Sequence, residues 1–139
     1  MQSESGLQDF DWRIEENIPS LGIVQIQQSS SNHRATTLQL SGRLDATTSA
    51  TLEVTLQRYR DNGATRFILD LRELEYISSA GLGALLSSAK SLQREGGDLL
   101  LFGLRENVRK VFEISGFTRI FTLYKTEEEA REYLAEKEG

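Results

Sequence analysis

The run Phe67-Ile-Leu-Asp-Leu71, followed after a short polar stretch by Tyr76-Ile-Ser-Ser-Ala-Gly-Leu-Gly83, decides how this chain folds. The first half is almost continuously apolar, as in a strand covered on both faces and therefore central in its sheet. The second half leads into Leu82, Leu85, Leu86 and Ala89, spaced to line one side of a helix that ends near Glu95-Gly96-Gly97. A buried strand feeding an amphipathic helix is the unit from which parallel α/β sheets are built.

The same alternation extends in both directions. Toward the C-terminus, Leu99 to Leu104 reads as a further buried strand, and Val108, Val111 and Phe112 stripe a helix closed by Gly116. Ile120 to Tyr124 follows as a short strand. Thr126 with Glu129 three residues on is a capping box for a last helix striped by Ala130, Tyr133 and Leu134. Toward the N-terminus, Thr47 or Thr48 caps a helix carrying Leu52, Leu56 and Tyr59, with Asn62-Gly63 as its stop. Before it, Ile23, Val24 and Ile26, the polar turn Gln28 to Arg34, and Thr36 to Leu40 predict a hairpin.

The resulting order, β-β-α-β-α-β-α-β-α, predicts one α/β domain. Its mixed sheet has four to five strands, begins with an antiparallel hairpin, and carries about four helices on right-handed crossovers. The 139 residues suffice for one such core and not for two. Residues 1–20 are polar and acidic and hold the only proline, Pro19. They read as a flexible arm, with Phe10 and Trp12 as its docking side chains, ahead of a domain spanning 21–139.

Charge and composition exclude several classes of function. The net charge is −5, with five acids in residues 1–20 against Arg13 and six in residues 126–139 against Arg131 and Lys137. The body keeps 13 basic and 10 acidic residues, too even a mixture for a nucleic-acid face. There is no cysteine, hence no disulfide and no thiolate metal site. No apolar run nears the ~18–20 residues that span a bilayer, and Met1 to Asp11 does not resemble a signal peptide, so a cytoplasmic location is expected. His33, the sole histidine, falls in a polar turn and is read as solvated rather than catalytic or metal-binding. Gly81-Leu-Gly83 lacks the third glycine of a dinucleotide fingerprint and falls within the helical stripe. Asp70 could be the phosphoacceptor of a receiver domain only with more carboxylates at the first strand's end, where Gln27-Gln28-Ser29 stand. Its simpler reading is a strand-end residue that orients the next loop. No cofactor, no metal and no enzymatic activity are expected.

Ser78 and Ser79 are the informative pair. Placed where a helix begins, a serine caps free backbone N–H groups, worth about 1 kcal/mol. The same position tolerates an anion, so an exposed serine there can also take a phosphoryl group without unfolding the helix. From spacing alone, plain capping is the stronger of the two readings.

Gly42-Arg-Leu-Asp45, Ile68-Leu-Asp-Leu71, the Ser-Ser-Ala-Gly-Leu-Gly stretch, Gly96-Gly97 and Val111-Phe-Glu-Ile-Ser-Gly-Phe117, in that order, resemble the STAS domain, and more narrowly the bacterial anti-sigma-factor antagonists. The resemblance runs from about Ile23 to Leu134. It implies a phosphorylation-switched protein-binding module whose partner is an anti-sigma factor serine kinase of histidine-kinase-like ATPase fold, with a phosphatase to reverse the switch. In that family the loop usually reads Asp-Ser-Ser/Thr-Gly-Leu-Gly. Counted back from Gly81, the acceptor matches Ser79, with Ser78 in the place of the usual aspartate and as alternative acceptor, and Ala80 in that of the following Ser/Thr. The resemblance further implies a partner surface of Asp45, Ser78, Ser79, Ala80, Gly81 and Leu82. Two other functions stay open at this point: a STAS subunit of another assembly, such as a stress-signalling complex or a lipid-transport ATPase, and a small-molecule or nucleotide sensor.

Overall fold

In the computed structural model, which describes residues 21–28 and 35–138, Phe67, Leu69 and Leu71 turn to one face of a sheet while Ile68 turns to the other. They lie on β3 (Arg66–Ile77), the central strand of a five-stranded sheet in which neighbours in space are neighbours in sequence. The edge strand β1 (Gly22–Gln28) runs antiparallel to β2 (Thr36–Leu44), forming the expected hairpin. The strands β2, β3, β4 (Asp98–Phe102) and β5 (Leu123–Tyr124) are all parallel.

The larger core lies on one face of the sheet. Leu52 and Leu56 of α1 (Ser49–Asp61), Leu82, Leu85 and Leu92 of α2 (Ser79–Arg94), and Val108 and Phe112 of α3 (Glu106–Ile114) pack there. On the other face, Ala130 and Leu134 of α4 (Glu127–Glu138) meet Ile68, Leu100 and Phe102. The stripes found by helical spacing thus supply the buried residues of each helix, but Tyr133 of the α4 stripe is exposed. The capping box is present as well, with Thr126 Oγ1 accepting from Glu129 N–H at 3.2 Å and Glu129 Oε1 from Lys125 N–H at 2.8 Å.

Three local expectations need correction. First, β3 does not end near Leu71 but continues to Ile77 through Arg72-Glu-Leu-Glu-Tyr76. Against β2, three residues of β3 oppose two between Asp70 and Glu73, and two oppose one between Leu74 and Tyr76. Such bulges bend the strand and re-aim its side chains. They bring Leu74 and Ile77 back to the core and leave Tyr76 outside. β4 stops short of this half of β3, and α3 serves the vacated edge instead. Arg105 Nε donates to the Arg72 carbonyl and Asn107 Nδ2 to that of Glu75, both at 2.9 Å.

Second, Asp70 stands inside β3 rather than at its end. It is 1% exposed and clamped by Arg72, whose NH2 group lies 2.7 Å from Oδ2 and whose Nε lies 3.0 Å from Oδ1. Buried carboxylates need such a partner. This one orders a strand and does not steer a loop.

Third, the last strand is Leu123–Tyr124 and not Ile120–Tyr124. Gly116, at φ +78°, ends α3 and starts a 3₁₀ turn over Phe117–Arg119. Phe117 there joins Phe112 and Phe121 in a cluster with ring centroids 6.0–6.3 Å apart. That packing draws the chain off the sheet before it can pair, and it leaves Ile120 exposed. The readings of Phe10, Trp12 and His33 fall outside the described residues.

Candidate functional site

At the ends of β2 and β3 the chain turns twice into helices, and the two turns touch. β2 leads through Asp45 to α1, with Thr48 as N-cap, and β3 leads through Ser78 to α2. The Ser78 N–H donates to the Leu44 carbonyl at 3.0 Å, which ties the second turn to the last residue of β2. The Ser49 hydroxyl donates to the Asp45 carbonyl at 2.6 Å and lies 3.4 Å from the Ala80 carbonyl in the first turn of α2. The N-termini of α1 and α2 therefore sit side by side.

The two serines have different surroundings. Ser78 is the N-cap, extended at ψ 174°, and its Oγ accepts from the Gly81 N–H at 3.2 Å. Ser79 is the first residue of the helix, exposed, and its hydroxyl makes no hydrogen bond among the described residues. Each helix start carries about half a positive charge, and neither first turn contains an acidic residue to offset it. A dianion attached to Ser79 would meet the positive end of α2 and its remaining first-turn N–H groups, whereas the backbone N–H groups leading into α1 already donate to the Asp45 carboxylate.

Asp45 holds the neighbouring turn. Its Oδ1 accepts from the Thr47 hydroxyl at 2.7 Å, the Thr47 N–H at 3.0 Å and the Thr48 N–H at 3.2 Å, and its Oδ2 faces Arg43 Nε at 3.0 Å. The Thr47 hydroxyl, foremost, holds this carboxyl below the ordinary aspartate range. Stability from this network is full above the ordinary aspartate pKa and is lost as pH falls through the depressed one. Carboxyl NMR titration should put the Asp45 midpoint below that of a free aspartate, and Thr47→Val should move it upward. An unmoved midpoint would mean that the hydroxyl is not the cause.

Of the sequence-predicted surface, Ser79 and Ala80 are exposed, and Ser78 and Asp45 are half-buried at the rim. Gly81 and Leu82 are buried, with Leu82 only 2% exposed in the core. They shape the loop from beneath and offer a partner no surface in this conformation. Two neighbours escaped the sequence reading. Tyr76 is 39% exposed, and the Arg43 guanidinium lies 5.1 Å from its ring centroid. Only the register Arg43↔Tyr76, set by the second bulge, brings them together. Among the described residues no group of His, Cys, Asp or Glu is arranged to hold a metal ion, and no helix is long and apolar enough to cross a membrane.

Comparison with known proteins matches residues 25–130 to the STAS domain. BtrV of Bordetella bronchiseptica, which carries the name of an anti-sigma factor antagonist, is 44% identical over 91 residues, covering 66% of this chain and 78% of its own. The anti-sigma-B factor antagonist of Listeria monocytogenes is 29% identical over 106 residues, covering 76% and 91%. Among solved structures, the anti-sigma factor antagonist SpoIIAA superposes in its unphosphorylated form with a TM-score of 0.62 at 23% identity, over 80% of this chain and 92% of that one. Its phosphorylated Bacillus form gives 0.58 at 22%, over 83% and 99%. At those identities the structural likeness is one of fold.

Proposed function

The chain belongs to the STAS domain family, and from that premise we propose that it is a cytoplasmic anti-sigma-factor antagonist, a binding module without chemistry of its own. Unmodified, it holds an anti-sigma factor of kinase type through the α2 N-terminal loop. Phosphorylation of Ser79 by that kinase makes it let go, and a phosphatase resets it. A dianion of about −1.5 to −2 charges at the middle of a desolvated interface has lost its water, and no counter-charge replaces it.

One observation carries this reading: Ser79 is exposed and uncommitted at a paired helix N-terminus, while the hydroxyl of Ser78 is occupied as the cap. The folded domain can therefore take a phosphoryl group on Ser79 with its backbone intact, and the effect is felt by the partner. The names of the relatives support the choice of partner class.

The test is reconstitution with the anti-sigma kinase of the same cell. A complex should form on size-exclusion chromatography and dissolve after incubation with ATP. Stable association with an ABC-type ATPase instead, and none with the kinase, would assign the chain to a different assembly.

A further inference from the structure

The edge of the sheet opposite β1 is incomplete. β4 pairs with β3 along its whole length, Asp98 to Phe102, but with β5 only at Leu101 and Phe102. The Asp98 N–H donates to the Thr65 carbonyl on the β3 side at 3.0 Å, so the backbone groups of the alternate residues 99, 101 and 103 turn the other way. Leu101 pairs there with Leu123, and the Gly103 N–H donates to the Tyr124 carbonyl at 3.1 Å. The N–H and carbonyl of Leu99 have no partner among the described residues. The chain that would have extended β5 past them, Ile120 to Thr122, packs Phe121 into the core instead. What remains is a groove of about 360 Å³ along the open edge. Leu86, Ala89 and Lys90 of α2 wall it on one side, and Tyr124 and Tyr133 on the other.

We propose that this groove takes an extended peptide from a partner protein, added to the sheet beside β4, with an acidic residue flanked by two apolar ones. The two free backbone groups of Leu99, set as in a ladder, are matched by another backbone, and an unpaired edge is a template for a strand. On an added strand, the residue opposite Leu99 turns its side chain to the same face as Leu99, toward α2. Its two neighbours turn to the face that α4 covers. Charge fixes the central residue. The Asp98 carboxylate is held by Lys137 at 2.7 Å and Arg66 at 3.5 Å, whereas Lys90, exposed on α2, has no ion-pair partner among the described residues. Lys90 therefore calls for a carboxylate. On the α4 face the rings of Tyr124 and Tyr133, with centroids 6.3 Å apart, offer apolar surface to the flanking residues. The open edge lies at the start of β4, and the Ser78 loop follows the end of the parallel β3, so the two sites occupy opposite ends of the sheet. The proposal does not depend on the switch at Ser79.

The probe is the capped peptide acetyl-Thr-Val-Glu-Val-Thr-amide, titrated into the isotope-labelled full chain and followed by NMR. The amide signals of Leu99, Leu100 and Ile120 should move, the Leu99 amide should become protected from hydrogen exchange, and Ser79 and Ala80 should stay still. The same peptide with every backbone amide N-methylated should not bind, because it cannot donate to the Leu99 carbonyl. Lys90→Glu, a change at an exposed position, should reverse the charge preference. It should bind acetyl-Thr-Val-Lys-Val-Thr-amide more tightly than the glutamate peptide, and the unmodified chain the reverse, each by about two- to fivefold. No movement at millimolar peptide would overturn the proposal. So would equal binding of the N-methylated peptide, or a preference that Lys90→Glu leaves unchanged. Protection of the Leu99 amide without any peptide would also overturn it, placing a second copy in the groove if dilution removes the protection and the chain's own residues if it does not.

Discussion

Ser79→Asp is expected to bind the anti-sigma kinase roughly tenfold or more weakly while the domain stays folded. A lone carboxylate buried against a partner without a counter-charge forfeits at least about 1.4 kcal/mol, and that is a factor of ten in affinity. Aspartate carries less charge than phosphate, so phosphorylated chain should be weaker still. Ser79→Ala should bind as well as the unmodified chain and resist release by ATP. Both variants should keep native circular dichroism, because an acidic or small residue at the first position of α2 disturbs neither the Ser78 cap nor the contact between helix starts. Mass spectrometry after incubation with kinase and ATP decides the acceptor. Phosphate on Ser78 alone would move the site by one residue and require the cap to be given up. Phosphate on neither serine, with both variants binding normally, would leave the STAS fold standing and remove the switch.

Gly81 and Gly83 should respond to the same substitution with opposite signs. A Cβ on Gly81 would lie 2.5 Å from the Leu44 carbonyl oxygen and 3.0 Å from side-chain atoms of Leu44 and Ile77. The closest of these is backbone of a buried strand and cannot swing aside. Gly81→Ala should therefore destabilise, and Gly81→Leu should lose about 1–3 kcal/mol or more, since the start of α2 must lift off β2. At Gly83, exposed two residues later, nothing lies within 4 Å of the added Cβ. Gly83→Ala should be neutral or gain up to about 1 kcal/mol, as alanine loses less freedom than glycine on entering a helix. Urea unfolding of the variants checks both. A neutral Gly81→Ala would mean that the close approach of α2 to β2 is not maintained in solution. Any weakening of partner binding by Gly81→Leu is expected to follow from the displaced loop, because Gly81 is buried in the free chain.

What the amino-acid order determined by itself is whatever depends on neighbours a few residues away. Leu82, Leu85 and Leu92 share a helix face through the 3.6-residue period, and Phe67 to Leu71 demands cover on both faces. Asn62-Gly63 supplies φ +102° at a helix end. Those local rules yielded the element order, the hairpin and the cap serine. Other features needed contacts between segments far apart in sequence. Arg72 to Tyr76 is too charged to read as a strand, and becomes one because β2 pairs with it and the side chains of Arg105, the N-cap of α3, and Asn107 donate to carbonyls on its other edge. Asp70 is buried because β2 and β4 flank it, with Gln39 and Phe102 as its partners in register. The chain before Leu123 stays off the sheet because Phe117 and Phe121 join Phe112 in the larger core that residues of β3 and α2 also build. The difference between Ser78 and Ser79, one hydroxyl occupied and the next free beside a second helix start, comes from the hydrogen bond of Ser78 to Leu44 and the nearness of Ser49 to Ala80. Periodicity carries no information about such pairings, because they are fixed by strand register and bulges, where a slip of one residue turns every side chain to the opposite face.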